Sequence, residues 1–261
     1  MNTMFRNREY IHYFLTARGI GNIHSPFVYD FISNVLYDNR HFYAYDEIER
    51  LRNRLILSKE EISVTDYGAG AVSTVPVTTT VRQVLKTSVN PARRAQLLFR
   101  IAAHYQCRTI IELGTSLGIT AMYLGASGRK AKVITLEGAQ PLADRALKNF
   151  HELNIQNIEL KPGTFEHTFP AALQQLKKAD LIFFDGNHRK KATLDYFHQA
   201  LPYSHENSIF IFDDIYWSQG MKEAWDEIKS HAAVTLSLDL FSFGIVFFRK
   251  QLSKQNFVLR F

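Results

Sequence analysis

The sequence predicts an α/β fold: a mostly parallel sheet covered by helices, with an antiparallel hairpin at its C-terminal edge and an N-terminal helical extension. Three observations lead there. From Asn90 onward, short β-rich runs alternate with helical patterns, and repeated strand–helix–strand units imply a parallel sheet covered on both faces. The strand Thr109–Leu113 enters a glycine turn and a helix begins just after it. The last two strand runs, Val234–Leu240 and Gly244–Arg249, are too close for a crossover helix and must pair as a hairpin.

Taken in order, residues 1–60 read as short helices. Ile11, Phe14 and Leu15 share one helical face, as do Phe27, Phe31, Ile32 and Val35, and Leu51, Leu55 and Ile56 suggest a third. Pro26, after His24-Ser25, suits the first turn of the second helix. Residues 61–90 form a glycine/threonine-rich loop or lid, beginning with Asp66-Tyr67-Gly68-Ala69-Gly70. Residues 91–261 form the main domain. Asn90-Pro91 caps a helix with a Leu97, Leu98, Ile101, Tyr105 stripe. Strands follow at Thr109–Leu113, Lys132–Leu136, Asn157–Leu160, Leu181–Phe184 and Ser208–Phe212. Between and after them lie helices at Ile119–Leu124, Pro141–Leu153, Phe169–Leu176, Lys191–Leu201 and Met221–Ser230.

Composition narrows the function classes. The 261 residues are 46% hydrophobic, enough for a substantial core, and no apolar run approaches the roughly 20 residues that span a bilayer. Met1 to Tyr10 is polar and lacks the apolar run of a signal peptide. A single cysteine, Cys107, rules out an intramolecular disulfide; it points to a reducing, cytoplasmic setting and away from a zinc–thiolate site. The formal charge of +6 is spread along the chain, so it reads as a solvated basic surface and not as a nucleic-acid platform.

The most informative stretch is Ile110-Ile111-Glu112-Leu113-Gly114-Thr115-Ser116-Leu117-Gly118. Ligands of open α/β sheets sit at the carboxyl ends of strands, where such a turn lies. Gly114 lets the backbone approach a ligand, and the N–H groups with the hydroxyls of Thr115 and Ser116 can bind a carboxylate or phosphate. Glu137 ends the next strand, about 20 residues on, at the distance where an acid accepts hydrogen bonds from ribose hydroxyls. Turn and acid together admit a nicotinamide dinucleotide or S-adenosylmethionine. The turn lacks the G-x-G-x-x-G spacing expected for a pyrophosphate. Thr164 and Phe165 follow the third strand, where an adenine ring would lie and Phe165 could stack on it.

Asp185 ends one strand, and Asp213 and Asp214 end another. On adjacent parallel strands these ends lie roughly 5 Å apart. Clustered carboxylates repel unless a cation joins them, and an oxygen-rich site suits Mg²⁺ or Ca²⁺. Alternatively, Asp185 orients the cofactor while Asp213 and Asp214 cap a turn. His188, three residues after Asp185, can take a proton from an acceptor hydroxyl. Tyr216, Trp217 and Phe243 are candidate walls of an acceptor pocket.

These motifs carry a resemblance. The run from Ile110 to Lys250 resembles the class I S-adenosylmethionine-dependent methyltransferases, a Rossmann-like fold, and looks most like the catechol O-methyltransferase-like branch. The matching pieces are Glu112 to Gly118, Glu137, Phe184-Asp185-Gly186-Asn187-His188 and Phe212-Asp213-Asp214. The resemblance implies cofactor binding by Glu112, Gly114, Thr115, Ser116, Gly118, Glu137, Thr164, Phe165 and Asp185. It implies Mg²⁺ on Asp185, Asp213 and Asp214, with Asp where the branch has Asn at the third position. The branch's lysine base maps onto His188, which makes Asp185 and His188 the catalytic pair. The whole chain, with His24-Ser25-Pro26-Phe27 and Phe257-Val258-Leu259-Arg260-Phe261, is also similar to a group of methyltransferases of Bacteroidetes-type bacteria. The expected activity is O-methylation of a small-molecule hydroxyl by a homodimer. The competing readings are methylation of RNA or another large acceptor, a nicotinamide-dependent oxidoreductase, which the missing Tyr-x-x-x-Lys disfavours, and a binding module without turnover.

Overall fold

The computed structural model describes residues 3–64 and 76–261. In chain order the helices are α1 (Thr3–Thr16), α2 (Pro26–Phe31), α3 (Tyr43–Leu55), α4 (Val81–Thr87), α5 (Ala92–His104), α6 (Ile119–Ala126), α7 (Gln140–Glu152), α8 (Phe165–Leu176), α9 (Lys190–Ala200) and α10 (Gln219–Ser230). The strands are β1 (Glu61–Val64), β2 (Val77–Thr80), β3 (Thr109–Leu113), β4 (Lys132–Glu137), β5 (Ile158–Pro162), β6 (Leu181–Phe184), β7 (Ile209–Asp213), β8 (Leu236–Asp239), β9 (Phe243–Phe247) and β10 (Gln255–Val258). The chain divides into two compact units, Tyr37–Gln175 and Met1–Leu36 with Leu176–Phe261. The result is the mostly parallel α/β, Rossmann-like architecture that the sequence predicts, with its antiparallel pair near the C-terminus.

In the unit Tyr37–Gln175, β3, β4 and β5 run parallel, with Ile111 opposite Ile134 and Ile134 opposite Glu159. Ile110, Ile111 and Val133 to Leu136 are buried, as continuous apolar runs in a sheet covered on both faces must be. Helices α3, α5, α6 and α7 build one apolar cluster around Leu51, Phe99, Tyr123 and Phe150. Helix α5 starts at Ala92, one residue later than the Asn90-Pro91 pattern suggests, because the Pro91 carbonyl takes the first N–H groups, from Arg94 and Ala95. The stretch expected as a loop or lid carries the antiparallel pair β1–β2 and helix α4, whose N-cap Thr80 hydroxyl accepts from the Gln83 N–H. The Asp66-Tyr67-Gly68-Ala69-Gly70 segment lies outside the described residues.

In the unit of Met1–Leu36 and Leu176–Phe261, β6 and β7 are parallel. Strand β9 lies between β7 and β8 and runs against both. The predicted hairpin is therefore β8–β9. Beyond it the structure adds β10, parallel to β8. Phe183, Phe210, Phe212, Trp225, Phe243 and Phe247 fill this core. Helix α2 starts with Pro26 at its first turn, as predicted, and seats Phe27 and Phe31 against Phe247. In α1, the predicted stripe of Ile11, Phe14 and Leu15 is exposed, at 60%, 52% and 77%; Glu9 and Tyr13 face inward instead.

Candidate active site

The glycine turn is built from backbone geometry. Gly114 has φ 102 and Ser116 φ 50, both left-handed. That conformation lets two successive N–H groups, of Gly114 and Thr115, donate to the Leu136 carbonyl at 3.0 and 3.1 Å, fastening the turn to the end of β4. Glu137 completes the tie. Its Oε2 accepts from the Ser116 N–H at 2.8 Å and its Oε1 from the Ala139 N–H at 2.9 Å. Burial pushes the Glu137 carboxyl up, against the backbone N–H groups that favour its ionised form.

Behind the turn runs a buried polar chain. The Thr115 and Thr135 hydroxyls lie 2.6 Å apart, and the Thr135 hydroxyl donates to Glu112 Oε2 at 2.6 Å. Burial pushes the Glu112 carboxyl up to about 8, the Thr135 hydrogen bond opposing it and the Glu137 charge reinforcing it. Glu112 Oε1 and Ser116 Oγ are buried without a hydrogen-bond partner. Buried polar atoms are satisfied in most proteins, so these two orphans beside a ligand turn suit the polar groups of a small cofactor. The Gly163 N–H donates to the Glu137 carbonyl at 2.8 Å, which brings the β5–α8 turn, with Thr164 and Phe165, next to Glu137. Thr164 also opens α8: its carbonyl accepts from the N–H groups of His167 and Thr168.

Gly118 also has a packing role. With φ 78 it caps α6, and a Cβ there would lie 2.4 Å from Phe150 Cε1. Its missing side chain lets α6 pack on α7.

The acids lie in the other unit. Phe184 and Phe212 are register partners, and their rings stack 4.5 Å apart at 5°. Asp185 and Asp213 thus mark adjacent strand ends, as the sequence suggested. Asp213 is buried, and its Oδ1 accepts from the Asp214 N–H at 2.8 Å. Asp214, left-handed at φ 49, has its carboxylate 3.6 Å from the Arg6 guanidinium of α1. His188 Nε2 stands 3.8 Å from Asp185 Oδ1, an ion-pair distance and not a hydrogen bond. The His188 ring lies 6.0 Å from that of Trp217, over which Arg6 sits at 5.9 Å.

The Mg²⁺ expectation fails its geometric test. Among the described residues no three His, Cys, Asp or Glu side chains are placed to hold a metal ion. Asp185 faces His188, Asp213 holds a backbone N–H, and Asp214 faces a guanidinium.

Two expected pocket walls are also reassigned. Phe243 is fully buried, edge-on to Phe183 in the core. Tyr216 donates to Asp239 Oδ2 at 2.6 Å and stacks on Phe241, as a brace. Trp217 alone of the three stands beside His188. Arg6 was missed: it belongs to no motif, and only the docking of α1 reveals it.

Residues 111–215 match the model of a family described as a methyltransferase domain. No protein of curated function matches the chain in sequence. The fold matches an O-methyltransferase of Bacillus cereus in complex with S-adenosylhomocysteine, at 18% identity and TM-score 0.54, over 84% of this chain and 96% of that one. It matches an O-methyltransferase of Streptomyces achromogenes involved in tomaymycin synthesis, in complex with S-adenosylmethionine, at 16% identity and TM-score 0.56, over 85% and 95%. It also matches an S-adenosylhomocysteine-bound methyltransferase of Podospora anserina, at 13% identity and TM-score 0.58, over 96% and 97%. The match over residues 111–215 thus runs from within β3 past the acids at the end of β7, and the fold is one that known methyltransferases share.

Proposed function

We propose that the protein transfers a methyl group from S-adenosylmethionine to a hydroxyl oxygen of a small-molecule acceptor. The observation that carries this reading is the Gly114–Ser116 turn, closed by Glu137 and leaving Ser116 Oγ and Glu112 Oε1 buried and unpaired. The methyltransferase family match over the same turn and the cofactor-bound relatives support it.

S-adenosylmethionine, when bound, supplies a methyl carbon on a sulfonium, whose C–S electron pair leaves with sulfur as S-adenosylhomocysteine. Gly114, Thr115 and Ser116 hold its amino-acid end. Glu137 keeps that turn in register and offers its remaining lone pairs to the ribose hydroxyls. Thr164 and Phe165 border the adenine. His188 takes the proton of the acceptor hydroxyl at Nε2, so that the oxygen attacks the methyl carbon; Asp185 steadies the resulting imidazolium, which returns its proton to water. The same proposal reads the protein as a cytoplasmic homodimer. The exposed side chains of Met4, Ile11 and Leu15 support the dimer, and the lone, buried Cys107 supports a reducing compartment.

Calorimetric titration with S-adenosylmethionine, S-adenosylhomocysteine and NADH tests the cofactor. Micromolar binding of the first two and none of NADH is expected, and binding of NADH alone refutes the reading. Glu137→Ala should weaken cofactor binding by about 1–3 kcal/mol. With catechols and other phenols as acceptors, His188→Ala should lower kcat by about 10²–10⁴-fold while leaving S-adenosylhomocysteine affinity intact. A wild-type rate in that variant removes His188 from the chemistry.

A further inference from the structure

Arg6 lies on a segment far from every recognised motif, yet its guanidinium is 3.6 Å from Asp214, the residue expected to ligate a metal. We propose that Arg6 is a built-in cation that takes the electrostatic place of the divalent metal, so that this site works without one. The inference rests on the methyltransferase reading above and deepens it.

The charges at the strand ends make the argument. Asp185 and Asp214 directly follow two adjacent strands and Asp213 ends the second, and such carboxylates repel one another unless positive charge is supplied. A guanidinium supplies it permanently, because it does not lose its proton in proteins. With Arg6 on Asp214 and His188 beside Asp185, two of the three acids already face a guanidinium or an imidazole. A metal ion would have to displace Arg6 to gain Asp214 as a ligand.

Arg6 is also placed by design of the fold rather than by a chance surface contact. Helix α1 is fastened along its length to its own unit. Lys222 Nζ on α10 donates to the buried Glu9 at 2.6 Å. The Tyr13 hydroxyl donates to the Leu259 carbonyl at 2.7 Å and accepts from the Phe261 N–H at 3.0 Å. The rings of Tyr10 and Tyr13 pack on Phe241. One turn before Glu9, this docking sets Arg6 over the Trp217 ring, which also neighbours His188. The guanidinium is therefore held in the same cluster as the proposed base, where its N–H groups can donate to an acceptor oxygen as that oxygen loses its proton.

The test is Mn²⁺ binding, read by electron paramagnetic resonance, which needs neither acceptor nor turnover. Wild-type protein should bind no Mn²⁺ up to millimolar concentration. Removing the guanidinium in Arg6→Ala or Arg6→Gln should expose the acids and tighten Mn²⁺ binding by at least about tenfold, and adding Asp214→Ala, which removes the oxygen donor, should reverse the gain. Micromolar Mn²⁺ binding by the wild type overturns the proposal, as does the absence of any gain in both Arg6 variants when circular dichroism shows them folded. Titration of the same samples with S-adenosylhomocysteine separates the two readings. Loss of that binding in the wild type would sink the methyltransferase proposal, while the Mn²⁺ result would still decide the fate of Arg6.

Discussion

Glu112 and Gly118 bracket the glycine turn, and each carries a prediction. The Glu112 carboxyl is pushed up to about 8 from 4.5, chiefly by burial. The folded state keeps a proton that the unfolded chain releases near pH 4.5. The stability this contributes is full below that pH and is lost as pH rises through about 8. Urea denaturation at about pH 5 and about pH 8 should therefore show the wild type weakening, whereas Glu112→Gln should lose that component of the slope. Equal slopes in the two proteins would refute the buried-proton account. Gly118→Ala forces a side chain into left-handed backbone and against Phe150. It should cost about 2–4 kcal/mol, combining the backbone penalty with overpacking. In the sequence, Gly114 and Gly118 look alike, and both adopt left-handed backbone; at Gly118 the packing of Phe150 also leaves no room for a side chain.

Among the elements, α1 shows most clearly where pattern and packing part. Its apolar residues predict a buried stripe at Ile11, Phe14 and Leu15, yet those side chains face outward, because polar anchors decide its orientation: Glu9 to Lys222 and Tyr13 to the C-terminal segment. Tyr13→Phe leaves the Leu259 carbonyl and Phe261 N–H without their partner. A loss of about 1–3 kcal/mol is expected in thermal or urea melts. A change below a few tenths of a kcal/mol would mean that this clasp contributes little. Strand boundaries were legible to within two residues from β3 to β7, most directly where the strand is a continuous apolar run closed by Gly or Asp, as in β3, β6 and β7. Strand β10 was not, because Gln255-Asn256-Phe257-Val258 is half polar and gains its pairing only from β8. Helix α8 starts at Phe165, four residues before the Phe169 start that the pattern predicts, with the Thr164 carbonyl receiving N–H groups of its first turn and Pro170 inside the helix.

For the whole molecule, the described residues contain no helix long and apolar enough to cross a membrane. The exposed Ile11 and Leu15 give the dimer reading a direct check. Light scattering after gel filtration should give twice the 30.1 kDa chain mass, and Leu15→Lys should shift it toward the monomer. A monomeric wild type ends that part of the proposal.

The sequence by itself determined the α/β class, the order of its strands along the chain, the glycine turn between β3 and α6 with Glu112 and Glu137 beside it, and the acids at the ends of β6 and β7. Those features are written in local pattern: apolar runs, a glycine where the chain must turn, a charge where a strand ends. Tertiary structure alone decided what the charges meet. Asp214 finds Arg6 across more than two hundred residues, Tyr216 turns to Asp239, and Phe243 disappears into the core. Such pairings depend on how distant segments pack, and a carboxylate in a sequence looks the same whether its partner is a metal ion, a backbone N–H or a guanidinium.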